Sequence, residues 1–192
     1  MAYGKPATVL LGSGNEISEE KLSKLPDSAA DITLRHFTGT WRLDTARSET
    51  LYAYLKAMGV SDLAIEAAMK SEADGDTLHI IDVHGGQDAK FTITRRSRMS
   101  DKTMTFPLGI ETTITQNSGR QHRTTVSLMR QGGARIVERT LIKDRHTFTV
   151  TRTLVGDPPN GMNCTQVLRT PTQAVVTRRW FNRADPVVPE CD

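Results

Sequence analysis

Hydrophobic positions recur with two different periods along the chain. Between residues 48 and 70 the spacing is helical. Leu51, Tyr54, Leu55 and Met58 fall at i, i+3, i+4 and i+7 and make one apolar stripe. This predicts a helix over 48–58, with Ser48 as its N-cap and Gly59 ending it. A second helix is predicted from Ser61-Asp62, with Ile65, Ala68 and Met69 on one side. So short a link makes the two an αα-hairpin.

Beyond Lys70 the period falls to two. Thr, Val, Ile and Arg alternate between turns such as Gly85-Gly86, Asn117-Ser118-Gly119, Gln131-Gly132-Gly133 and Lys143-Asp144. Strands are predicted near 38–44, 77–84, 89–98, 102–107, 109–116, 121–130, 134–142, 145–155, 162–170 and 174–182. About ten short strands joined by tight turns define an all-β fold, an antiparallel up-and-down β-barrel or a sandwich. The helical hairpin interrupts it once, after the first strand. Residues 1–36 read as an N-terminal extension with a short strand at 7–11 and a helix at 18–22, capped by Ser18 and stopped by Pro26. The main body is expected over 37–183 and a C-terminal tail over 184–192.

Composition narrows the function classes. The 192 residues are 37% hydrophobic and 24% charged, as in a globular chain. A formal charge of +3, with no concentrated basic block, argues against a nucleic-acid surface and leaves weak attraction to anionic membranes open. No stretch reaches the roughly 20 apolar residues that span a bilayer, and the N-terminus lacks the apolar core of a signal peptide, so a cytoplasmic location is expected. Cys164 and Cys191 lack CxxC spacing and are expected as free thiols. Nucleophile-elbow, phosphate-loop, dinucleotide and zinc motifs are absent, so no enzyme is indicated. Among five histidines, His79 shares parity with Ile81 and Val83, and His122 with Val126 and Leu128. Either would suit an axial ligand if the barrel held a haem.

Three segments carry a resemblance. Gly39-Thr40-Trp41 followed by Tyr54-Leu55-Lys56-Ala57-Met58-Gly59-Val60 resembles the first strand and helical lid of the intracellular lipid-binding proteins, the fatty-acid-binding and retinoid-binding family of the calycin superfamily. Phe106-Pro107-Leu108-Gly109-Ile110-Glu111 is similar to that family's Phe-x-Leu-Gly-x-Glu junction between its fourth and fifth strands. Ala174-Val175-Val176-Thr177-Arg178-Arg179-Trp180 is similar to its final strand, where an Arg-x-Tyr pair holds a ligand carboxylate. The resemblance covers roughly 37–183. It implies a ten-stranded barrel under a two-helix lid, and noncovalent carriage of a long-chain fatty acid or similar amphipathic lipid. No cofactor is implied.

The resemblance and strand parity together nominate the binding residues. Phe148, Val150, Arg152 and Leu154 share one face, which makes Arg152 an inward candidate to grip a carboxylate with its planar fork. Val176, Arg178 and Trp180 share a face in the last strand, with Trp180 at the tyrosine position, where its N–H can only donate. Arg139, beside Val137 and Leu141, is a third candidate. In an alternative register Arg139-Thr140-Leu141-Ile142 supplies the internal arginine, and Gln166 replaces the second one, as for a neutral head group. Tyr54, Leu55 and Met58 are expected to border a ligand portal, Met99 to gate it from the opposite turn, and Phe106 to belong to the core or line the cavity. Trp41 is expected to plug the base. Two other readings stay open: a filled barrel acting as a protein-interaction scaffold, and a haem or other cofactor barrel.

Overall fold

A computed structural model describes residues 35–74, 77–98, 100–115, 119–129, 134–143, 146–156 and 159–184. The strand expected at 7–11, the helix at 18–22, Met99 and nearly all of the tail lie outside these residues.

Ten strands form one antiparallel sheet: β1 (Gly39–Leu43), β2 (Leu78–His84), β3 (Lys90–Ser97), β4 (Ser100–Pro107), β5 (Thr112–Thr115), β6 (Gln121–Met129), β7 (Arg135–Lys143), β8 (His146–Val155), β9 (Gly161–Arg169) and β10 (Ala174–Arg183). Helices α1 (Tyr52–Ala57) and α2 (Asp62–Ala73) lie between β1 and β2. Every strand pairs with its sequence neighbours except between β4 and β5. β1 pairs with β10, which joins the two ends of the chain's β region, while β4 and β5 end the strand order. Between them, Leu108 bridges to Val126 and the Gly109 N–H donates to the Val126 carbonyl at 2.7 Å. The sheet is a barrel left nearly closed at this one place. β5 is shorter than the 109–116 expected, because Gly109 has φ +78° and Ile110 lies outside the ladder.

Alternation buries one face of most strands, though β5 buries no residue. Phe37, Trp41, Phe91, Ile93, Phe106, Val126, Ile136 and Met162 have no solvent exposure and form the base of the core. A large apolar side chain buried this completely contributes about 1.5–3 kcal/mol. Trp41 donates its Nε1–H to the Phe37 carbonyl at 2.8 Å, and the Arg183 guanidinium covers its ring at 4.3 Å. This arrangement explains the glycine of Gly-x-Trp. Gly39 has φ +140°, and a Cβ there would stand 2.5 Å from Arg183 Nη1. That nitrogen is held by the Thr38 carbonyl at 3.1 Å.

α1 is shorter than the 48–58 expected. Ser48 does not cap it. Its hydroxyl accepts from the Trp180 N–H at 2.8 Å and lies 3.3 Å from the Trp180 carbonyl, so it continues the pairing of β10 instead. The N-cap is Leu51, which has no side-chain cap to offer. Gly59 does end the helix, at φ +74°, with its N–H on the Lys56 carbonyl. No helix among the described residues is long and apolar enough to cross a membrane.

Candidate functional site

Between the lid and the apolar base lies a cavity of about 500 Å³, within the range of ligand sites. Leu51 and Tyr54 on the α1 side, Ala68, Ser71 and Glu72 of α2, and inward residues of β2, β3, β8, β9 and β10 line it. Its wall is apolar at Phe148, Val150 and Phe181 and charged at Arg95, Arg152 and Arg179.

Arg152 faces inward as parity requires and has no exposure. Its Nη2 donates to Glu138 Oε2 at 3.1 Å. Arg95 Nη2 reaches both oxygens of the same carboxylate, at 3.2 and 3.1 Å. Burial alone would push the Glu138 carboxyl up, but the two guanidiniums reverse this and hold it below its ordinary value of 4.5. Two cations therefore share one carboxylate: Arg152 is fully buried, while Arg95 is partly open to solvent. Arg152 Nε and Nη1 are buried with no hydrogen-bond partner among the described residues. Phe91 lies under the guanidinium, 5.3 Å from its centre.

The last strand differs from expectation. Its inward residues are Thr177, Arg179 and Phe181, all buried, while Arg178 is exposed and Trp180 sits on the outer face. The shared face of Val176, Arg178 and Trp180 exists, but it looks outward. The reason is the pairing: Leu43, buried in the core, stands opposite Phe181, which sets the parity of the whole strand. Arg178 pairs with Glu49 at 3.3 Å, and Arg47 stacks on the Trp180 ring at 3.7 Å. Arg179 takes the inward place. It binds Glu72 of α2 at 2.7 Å and the Glu49 carbonyl at 3.1 Å. Arg139 is likewise exposed on the outer face, because Glu138 and Thr140 point in.

Tyr54 packs on Phe148 at 5.0 Å, and burial raises its hydroxyl pKa. Leu55 and Met58 are half-buried but do not line the cavity. Phe106 belongs to the core, its ring 6.5 Å from Phe91. Cys164, the cross-strand neighbour of Arg152, carries a free thiol raised by burial. Sequence reasoning missed Glu138, Arg95, Arg179 and Glu72. The alternation of β7 offered one signal, since Ile136, Glu138 and Thr140 share a face. The partners that make Glu138 tolerable inside are distant in sequence.

A ten-stranded antiparallel barrel, a two-helix lid between its first two strands and an arginine sealed beneath a cavity define a lid-capped calycin-type binding barrel. No protein-family model matches the chain. It is 31% identical over 127 residues to fatty acid-binding protein homolog 5 of Caenorhabditis elegans, spanning 66% of this chain and 85% of that protein. Among solved structures, apo lipid binding protein 8 of Caenorhabditis elegans superposes with a TM-score of 0.62 at 20% identity, over 79% of this chain and 97% of the other. The Schistosoma mansoni fatty acid binding protein in complex with arachidonic acid gives a TM-score of 0.61 at 19% identity, over 80% and 99%. The chain belongs to the fatty-acid-binding protein family.

Proposed function

We propose that the protein binds a long-chain fatty acid or similar amphipathic lipid noncovalently in its cavity and carries it, with residues 37–183 as the binding unit and no chemical step. The observation that carries this reading is the charge balance around Arg152. Two guanidiniums face one carboxylate, and Arg152 keeps two buried nitrogens without partners among the described residues. A ligand carboxylate on Arg152 brings the cluster to neutrality and supplies the missing acceptors. Tail burial against Phe148, Val150 and Phe181 supplies the affinity, at about 0.8 kcal/mol per CH₂. The structural neighbour solved in complex with arachidonic acid, a carboxylic acid with a long chain, supports the ligand class.

Arg178, Trp180 and Arg139 play no part as anchors in this reading, since they face outward. Tyr54 closes the lid side of the cavity. Transient contact with anionic membranes during transfer, in a cytoplasmic setting, belongs to the same reading. Lys70, exposed in the last turn of α2, is the lid cation suited to it, whereas Lys56 is tied to Asp62 at 2.6 Å.

Delipidated protein titrated with oleate by calorimetry tests the reading. The expected result is saturable 1:1 binding that weakens at least about tenfold in Arg152→Met, from loss of a charge-assisted contact, and is unchanged in Arg178→Ala. Equal affinity in Arg152→Met removes the anchor. No binding by the wild type overturns the carrier.

A further inference from the structure

The cavity wall holds a second polar feature that a plain hydrocarbon tail leaves unused. His79 of β2 lines the cavity with its ring stacked on Phe181, centroids 4.3 Å apart and planes 24° from parallel. It is 7% exposed, and its Nδ1 is buried with no hydrogen-bond partner among the described residues. A buried imidazole nitrogen without a partner costs the desolvation of that group. Packing alone gives no reason for it, because a phenylalanine would stack on Phe181 equally well.

The charge of this ring is settled by its surroundings. Burial, then Arg95, Arg152 and Arg179, hold its pKa well below the ordinary 6.5, so the imidazole is neutral at physiological pH. A neutral imidazole offers one donor and one acceptor, and a half-turn of the ring exchanges the edges that carry them. It therefore suits an uncharged group with both roles, such as a hydroxyl, and repays an ion less well. The ring is the cross-strand neighbour of Arg95, whose guanidinium reaches Glu138. The head-group cluster and His79 thus stand on one continuous wall. Gln166, Thr77 and Ser71 add further uncharged polar groups to the lining.

We propose that His79 is a second ligand subsite, and that the preferred cargo is a long-chain carboxylic acid bearing a hydroxyl on its chain. This rests on the carrier reading and refines it. The carboxylate lies at Arg152, and the chain oxygen exchanges hydrogen bonds with the His79 ring. A site built to pair a ligand hydroxyl discriminates against the analogue that lacks it, because its own polar group is then left unpaired.

Matched pairs of acids test this by calorimetry on the delipidated full chain: oleate against its 12-hydroxy derivative, and hexadecanoate against its 3-hydroxy derivative. At least one hydroxy acid is expected to bind about tenfold more tightly than its parent, the scale of one well-made buried hydrogen bond. In His79→Phe the ratio of hydroxy-acid to parent-acid affinity is expected to fall to one. His79→Gln, which restores a donor and an acceptor, is expected to recover part of the preference. A ratio of one for both pairs in the wild type overturns the proposal, whether or not the variants fold. So does a preference that survives in His79→Phe. Failure of every acid to bind overturns the carrier reading itself, a distinct outcome.

Discussion

At the residue scale, the apolar interior of this barrel holds one buried charge cluster. Glu138 is 4% exposed and Arg152 not at all. Such a cluster adds little net stability, since desolvation offsets attraction, but breaking it is costly. Glu138→Gln leaves Arg152 buried without its counter-charge and is expected to destabilise the protein by about 3–5 kcal/mol at pH 7. The pH dependence has a fixed sign. The folded-state pKa of Glu138 lies below its ordinary 4.5, so the carboxylate's contribution is fully present above 4.5 and is lost as pH falls through the depressed value. Urea unfolding of wild type and variant should therefore give stability curves that are widely separated at pH 7 and converge in acid. A gap that stays constant with pH would place the effect outside Glu138 ionisation.

At the element scale, β10 ties the lid from both of its faces. Outside, Arg178 and Trp180 hold Glu49 and Ser48 of the segment leading into α1. Inside, Arg179 holds Glu72 near the C-terminal end of α2. The adjacent arginines thus do what neither would do alone, because neighbouring strand residues point to opposite faces. α1 buries no residue fully and α2 buries only Ile65, so their apolar packing is thin and the polar ties matter more. Glu72→Gln weakens the inner tie while leaving the barrel ladder intact. Faster amide exchange is expected in α2 but not in β8 or β9, together with faster release of bound fatty acid in stopped flow. Release at the wild-type rate would show that the lid opens without breaking this pair.

At the scale of the whole molecule, the apolar base and the polar cavity are stacked in one barrel, and the base carries the stability. Trp41 joins the first strand, the preceding turn through the Phe37 carbonyl, and the last strand through Arg183. Trp41→Ala is expected to lower stability by about 3–5 kcal/mol, measured as a shift in the urea midpoint. A loss of less than 1 kcal/mol would show that the base collapses around the gap. The same division between local and distant cause separates what the sequence determined from what it did not. Alternation and turn residues alone placed ten strands and two helices, most of them within a residue or two of their ends, because those signals lie inside each element. Alternation also put Arg152 on the inner face, since Phe148, Val150 and Leu154 beside it are apolar and the opposite face is all threonine. In β10 it could not decide. Val175-Thr177-Arg179-Phe181 and Val176-Arg178-Trp180 each combine apolar residues with an arginine, so neither face is marked as the inner one. Only the pairing of Phe181 with Leu43 fixed the register, turning Arg179 inward and Arg178 out. Parity placed His79 with Ile81 and Val83, but the cluster of Arg95, Glu138 and Arg152 and the lack of a partner for His79 Nδ1 among the described residues were beyond local reading for the same reason. A buried charge is tolerable only beside partners on other strands, and closure of the barrel is what brings those partners within hydrogen-bond reach.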